Sequence, residues 1–372
     1  MKNIESGIYK KKIVFSNYDD LQNPYYGGGG AMAIHEIAKR LQIDHDVTVY
    51  SSRYPNSRNV RRNGVKYVKI GIASKFPLID QLTYQVLLPF YVIRNRNFDI
   101  WFESFTPPFS TAFLPLFTRK PIVGLVHLLG ATDMKRKYHL PFDYIEALGI
   151  KTYKYFVVLN SDIEKVIRGI NRKAIISVIP NGVNIIPSKS TTTKTKKYLL
   201  FIGRIDIYQK GIDLLFKAYK KIENQIVEEL LIVGVSNDKQ KNILNSQINK
   251  LDLGKRVKLI GRVKGERKSK LFANARIMLM PSRYETQPLT LLEAFAYGVP
   301  VITFNLSNFS WISSKYCLKI KPFDTSKFAK AIVSLLKNDT KRDFMAKSAK
   351  YYSRIFDWEV IHKQYKSFIE HI

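Results

Sequence analysis

The sequence predicts an α/β protein of two doubly wound domains, each a parallel sheet with helices on both faces. Three observations lead there. Apolar runs of strand length alternate with segments of helical spacing along the chain, which is the pattern of βαβ units. The strand candidates are too many for one comfortable sheet. At 372 residues the chain also exceeds what a single hydrophobic core normally serves.

In the first half, residues 13–16, 47–50, 100–102, 122–126 and 156–159 read as strands. Helical spacing covers 31–41 and 161–169. In the second half, strands are expected at 198–202, 230–233, 257–260, 277–280 and 299–304. Helices are expected at 212–222, 239–251, 269–273 and 289–297. Between the halves lies NGVNIIPSKSTTTKTKK (181–197), polar and threonine-rich, which reads as a linker. The expected division is a first domain over 1–183, a linker over 184–197, a second domain over 198–355 and a terminal segment over 356–372. That segment has helical spacing, with Trp358, Ile361, Tyr365 and Phe368 on one face.

Composition narrows the classes. With 45% hydrophobic and 24% charged residues the chain should fold. Its formal charge of +31 favours anionic partners: nucleic acid, phosphorylated substrates or acidic lipid surfaces. A general lysine preference is the bland alternative. The single cysteine, Cys317, excludes an internal disulfide and fits a reducing compartment. Neither a leader pattern nor an apolar run long enough to span a bilayer is evident, so a cytoplasmic protein is expected.

The most informative stretch is PSRYETQPLTLLEAFAYGVPVI (281–302). Glu285 falls in a strand-to-helix loop, and Glu293 follows with seven residues between them, about two turns along the helix. Ligands of open parallel sheets bind at the carboxyl ends of the strands. Two carboxylates there suit a hydroxyl-rich ligand, since each oxygen accepts hydrogen bonds. The loop FIGRIDIYQKG (201–211) also follows a strand and opens a helix. It carries Arg204, a forked and permanent cation, and Lys210, a mobile one, which together would stabilise a departing diphosphate. Gly203 and Gly211 read as tight-turn residues.

The Glu-x7-Glu spacing and the G-R-x…K-G pattern resemble glycosyltransferase family 4, retaining enzymes with the GT-B fold. The resemblance implies two Rossmann-like domains facing a central cleft, with the terminal helix crossing back to the first. It implies that Arg204 and Lys210 hold the diphosphate of a nucleotide sugar, that Glu285 touches the transferred sugar and that Glu293 holds the ribose. Val263, in LIGRV, would line the base pocket. Thr286, Gln287, Pro288 and Leu289 would complete the donor site. Where the family has glycines between its glutamates, this chain has Thr286, Gln287 and Pro288. Pro288 lacks an N–H, so donor-sugar hydroxyls need other partners.

In the first half, four glycines, Gly27, Gly28, Gly29 and Gly30, precede a helix and could bring backbone N–H groups to an anion or a sugar. They do not form a dinucleotide fingerprint. The resemblance makes them the family's first glycine-rich loop. His127 ends the strand IVGLVH and so points toward ligand-binding loops. The resemblance places such a histidine beside the reacting sugar. Ser161 is expected to cap the helix that begins near Asp162, and Asn181 and Gly182 to turn the chain at the end of the first domain. Asp44-His45-Asp46 reads as solvated strand entry, not as a metal site. His35 and His139 have no comparable context.

The implied reaction transfers a hexose from a nucleotide diphosphate sugar to an acceptor hydroxyl, with no metal. A lipid-linked glycan or another cell-surface glycan precursor would be the acceptor. An epimerase or phosphorylase on the same fold is one alternative, and a non-catalytic nucleic-acid binder is another. Residues 51–79 hold seven basic side chains and no acid ahead of LTYQVLLPFYVIRNR, which raises an anionic membrane surface as a partner. An ordinary basic surface around a buried helix remains the alternative there.

Overall fold

The computed structural model describes residues 10–24, 28–105, 110–186, 197–234 and 237–372. It contains two compact units. One runs to Pro180 and takes in Trp358–Ile372; the other is Asn181–Asp357. Gly27 and residues 187–196 of the expected linker lie outside the described residues. The start of that polar stretch belongs to the second unit. Asn181 is buried, and the Val183 N–H donates to the Phe356 carbonyl at 2.7 Å.

The first unit is built on β1 (Lys12–Ser16), α1 (Gly29–Leu41), β2 (Asp46–Ser52), β3 (Val60–Arg62), β4 (Val65–Ile70) and α2 (Pro77–Arg94). It continues with β5 (Ile100–Phe105), β6 (Ile122–Val126), α3 (Ala131–Tyr138), α4 (Phe142–Thr152), β7 (Tyr155–Val158), α5 (Ser161–Ile170) and β8 (Ile175–Val178). Its sheet has the order β3-β4-β2-β1-β5-β6-β7-β8 and is parallel except for β3, which pairs antiparallel with β4. Strands covered on both faces read as unbroken apolar runs, and every residue of β5 and β6 is buried. Asn160, not Ser161, caps α5: its backbone is extended and its Oδ1 accepts the Ile163 N–H at 3.0 Å. The serine is already the first helical residue.

The second unit comprises β9 (Tyr198–Ile202), α6 (Ile212–Lys220), β10 (Glu229–Val233), α7 (Asp238–Lys250), β11 (Val257–Ile260) and α8 (Gly265–Asn274). It goes on through β12 (Ala275–Met280), α9 (Leu289–Ala296), β13 (Val301–Phe304), β14 (Cys317–Ile320), α10 (Thr325–Leu336) and α11 (Asp339–Tyr352). All its strand pairings are parallel, in the order β11-β10-β9-β12-β13-β14. Leu199, Phe201, Ile277, Leu279 and Ile302 are buried in one core cluster; Leu200, Met278, Met280 and Val301 are in another. The alternation along each strand divides them between the two faces.

The terminal helix α12 (Trp358–Glu370) belongs to the first unit. Trp358, Ile361, Tyr365 and Phe368 are buried, and Phe102 of β5 packs against both Tyr365 and Phe368. Two polar contacts fix it further: Arg40 to Glu359 and Lys366 to Asp44, at 2.7 and 2.6 Å. Asp46 pairs with Lys10, so the two aspartates of the Asp-x-Asp pattern each hold a lysine. His35 meets the Tyr67 hydroxyl in the core, and His139 ends α3.

Candidate active site

In the second unit the chain runs from β9 outward to β11, then returns to the other side of β9 with β12. Strand order therefore reverses between β9 and β12. Loops that leave adjacent strands in opposite directions open a crevice at their carboxyl ends. The two loops concerned are 203–211 and 281–288, which carry the expected cations and the first expected glutamate.

Gly211 lets these loops meet. Its φ is +63°, and a Cβ built there would lie 1.9 Å from the Pro281 carbonyl oxygen. Arg283 then binds the loops together. Its N–H donates to the Gln209 carbonyl at 2.8 Å, and its guanidinium reaches both carboxylate oxygens of Asp213 at 2.7 Å. Such a forked pair fixes geometry as well as charge. Opposite Gly203, Gly234 has its Cα against the Gly203 carbonyl; a Cβ would come within 1.8 Å of that oxygen.

Within this frame Lys210 and Glu285 meet, Nζ to Oε1 at 2.6 Å. Glu285 is buried and also accepts from the Ser282 hydroxyl at 2.8 Å. Arg204 is exposed at the start of the same loop and donates to the Gln209 side chain at 2.7 Å. Glu293 lies on α9, where Lys268 of α8 holds its Oε1 at 2.5 Å. Its second oxygen has neither a partner nor solvent. Each expected carboxylate is thus neutralised by an ammonium group.

The intervening residues divide their roles. Thr286 offers its carbonyl to the Trp311 indole N–H at 3.3 Å. Gln287 is occupied with Asn181: its side-chain oxygen accepts the Asn181 N–H at 2.5 Å and its carbonyl accepts from the Asn181 side chain at 2.9 Å. The Gln287 side chain is therefore an anchor for the entry to the second unit. Pro288 is the N-cap of α9 and Leu289 its first residue. The N–H groups that open a helix have no partner within it and favour an anion. Val263 is half-buried just ahead of α8 and packs on the cluster that contains Phe272.

In the first unit, Gly28 donates its N–H to Asp19 Oδ2 at 2.6 Å, and Gly29 opens α1. Gly30 lies against His127, whose ring would be 3.5 Å from an added Cβ. His127 directly follows β6, and both of its ring nitrogens are buried without a partner. Burial pushes this imidazole down to about 4. The native state therefore keeps it neutral while the unfolded chain protonates below about 6.5. Its contribution is full above pH 6.5 and is lost progressively as pH falls toward 4. Denaturant titrations should show this slope, about 3 kcal/mol in total, and His127→Asn should flatten it.

Several functional-looking groups carried no sequence signal beyond their setting. Glu103, within the wholly buried β5, is pushed up to about 7 by burial. It accepts the Ala112 N–H at 2.5 Å and bonds to Thr111 and Tyr153, which pins the chain after residue 109. Glu146 does the same for Ser110 and for the Ala131 N–H that opens α3. A carboxylate inside the run IWFESF is the only hint of the first. Nothing in its local sequence distinguishes Lys268 among the 61 basic residues.

Comparison with known families decides what frame this is. The family described as glycosyl transferases group 1 matches residues 183–352, and the one described as Glycosyltransferase Family 4 matches 27–185. The chain belongs to glycosyltransferase family 4. Its fold is GT-B. Sucrose-phosphate synthase from Thermosynechococcus elongatus superposes with a TM-score of 0.81 at 18% identity, covering 97% of this chain and 99% of that one. A phosphatidyl-myo-inositol mannosyltransferase of Mycobacterium leprae is 29% identical over 195 residues, 50% of this chain and 51% of its own length. The gpi3 subunit of the phosphatidylinositol N-acetylglucosaminyltransferase of Schizosaccharomyces pombe is 27% identical over 309 residues, 74% of this chain and 62% of that one. The match thus spans about half to three-fifths of these two relatives.

Proposed function

We propose that the protein transfers a hexose from a nucleotide diphosphate sugar to an acceptor hydroxyl with retained anomeric configuration. The observation that carries this reading is the Lys210–Glu285 contact at the strand-order reversal. A cation for phosphate and a carboxylate for hydroxyls stand side by side there, with Arg204 at the start of the loop that carries Lys210.

In this reading the donor diphosphate takes the ammonium of Lys210 and the guanidinium of Arg204, which frees Glu285 for the sugar hydroxyls. Glu293 accepts from the ribose. The bond between the anomeric carbon and the phosphate oxygen breaks, and the acceptor oxygen forms its bond on the same face. The acceptor proton passes to the departing phosphate oxygen. His127, in the first unit, stays neutral at ordinary pH. Arg204 and Lys210 supply the positive charge the leaving group needs, so the reaction calls for no metal. A lipid-linked acceptor is supported by the two relatives whose names specify phosphatidylinositol. The family matches favour neither the epimerase or phosphorylase alternative nor the nucleic-acid one.

A thermal-shift screen of nucleotide sugars tests the site. One nucleotide family should raise the unfolding midpoint; a ligand at a hundred times its Kd stabilises by about 2.7 kcal/mol. Arg204→Ala and Glu293→Ala should both abolish the shift. Equal shifts in wild type and variants would reject the assigned residues.

A further inference from the structure

Helix α2 is apolar on two faces, and the core uses only one. Tyr84, Leu88 and Val92 are buried against the first-unit sheet. On the other side Ile79, Leu82, Val86, Phe90 and Ile93 recur at helical spacing, and each is 42–63% exposed. Single exposed aliphatic residues are ordinary; an aligned row of five is a surface that wants a partner. The helix is therefore buried on one face and exposed on the other. Among the described residues no helix is long and apolar enough to cross a membrane. At 18 residues α2 is about 27 Å long and would lie flat.

The charge around it points to one kind of partner. Residues 51–98 contain nine basic side chains and a single acid, Asp80. Asp80 is buried and accepts the Ser74 N–H at 2.7 Å, so it presents no negative charge outward. Lys75 is exposed just ahead of the helix, and Arg94 and Arg96 are exposed at its end. Cations thus stand at both ends of the apolar row. A second copy docking here would bring two such basic segments together, each on a chain of net charge +31. An anionic lipid surface supplies the opposite charge and an apolar layer at once.

We propose that α2 docks the protein on an anionic membrane. The Ile79–Ile93 row sits at the acyl boundary, and Lys75, Arg94 and Arg96 contact the headgroups. This goes beyond the proposed reaction and does not depend on it.

Vesicle sedimentation without any sugar donor provides the test. Wild type should bind phosphatidylglycerol-containing vesicles at least tenfold more tightly than pure phosphatidylcholine vesicles. The double variant Leu82→Glu with Phe90→Glu should lose at least tenfold in binding while its unfolding midpoint holds, because both side chains face solvent. Val227→Glu, which places the same charge at an 85% exposed site in the other unit, should bind much more like wild type. Unchanged binding by the double variant would overturn the proposal, as would an equal loss in Val227→Glu or no anionic preference in wild type. Wild-type dimers that the double variant splits, without vesicle binding, would assign the face to a second copy instead. None of these outcomes bears on the donor site.

Discussion

A protein carrying Lys210→Met is expected to fold and yet to lose sugar transfer by about 10²- to 10³-fold, the usual effect of removing one preorganised charge from a transition state. The ammonium lies 2.6 Å from Glu285, and its side chain is only 17% exposed. It therefore faces a site that has already shed much of its water, where a charge counts for more than at the surface. Removal has two consequences that measurement can separate. In the proposed reaction the departing diphosphate would lose a cation, which lowers kcat and kcat/KM together. Glu285 keeps the Ser282 hydroxyl but loses its ion pair, which lowers stability. Lys210→Arg should restore the ion pair and stability without restoring full activity, because a planar fork does not replace a compact ammonium. Steady-state kinetics beside denaturant melts of both variants would decide. Near-wild-type turnover in Lys210→Met would remove this lysine from the reaction.

The second unit was more legible than the first, for a physical reason. Its strands are short apolar runs bounded by Gly, Pro or charge, and β9 and β11 fall on their expected residues. Glu285, Lys210 and Glu293 could be read because strand ends and helix starts confine where a side chain can stand. Lys268 could not, since its partnership with Glu293 depends on how α8 packs beside α9, and sequence spacing does not encode that. Gln287 had the same difficulty, because its partner Asn181 is 106 residues away. The edge strand β3 and its neighbour β4 carry polar and basic residues that conceal their period. For α2 the apolar content was visible, but hydrophobicity alone cannot tell an inward face from an outward one.

Gly211→Ala should be among the most damaging single substitutions in the second unit, costing about 3–5 kcal/mol of stability. Two independent effects combine. At φ +63° an alanine pays about 1–2 kcal/mol for left-handed backbone. The larger effect is steric, because the new Cβ would sit 1.9 Å from the carbonyl oxygen of Pro281 and 2.9 Å from its carbon. Neither neighbour yields easily. Pro281 is buried, its φ is locked by its ring, and β12 ends one residue before it. Relief requires the two loops to part, which would also draw Lys210 away from Glu285 and slacken the Arg283 clamp. Stability and nucleotide binding should therefore fall together. Gly169→Ala provides the contrast: it lies inside α5 with nothing within 4 Å of an added Cβ, so the same change should stabilise by about 0.5–1 kcal/mol. Denaturant midpoints for both variants, with nucleotide binding measured on Gly211→Ala, test the argument. A Gly211→Ala protein as stable as wild type would show that the loops can separate without cost and that the crevice is not set by their contact.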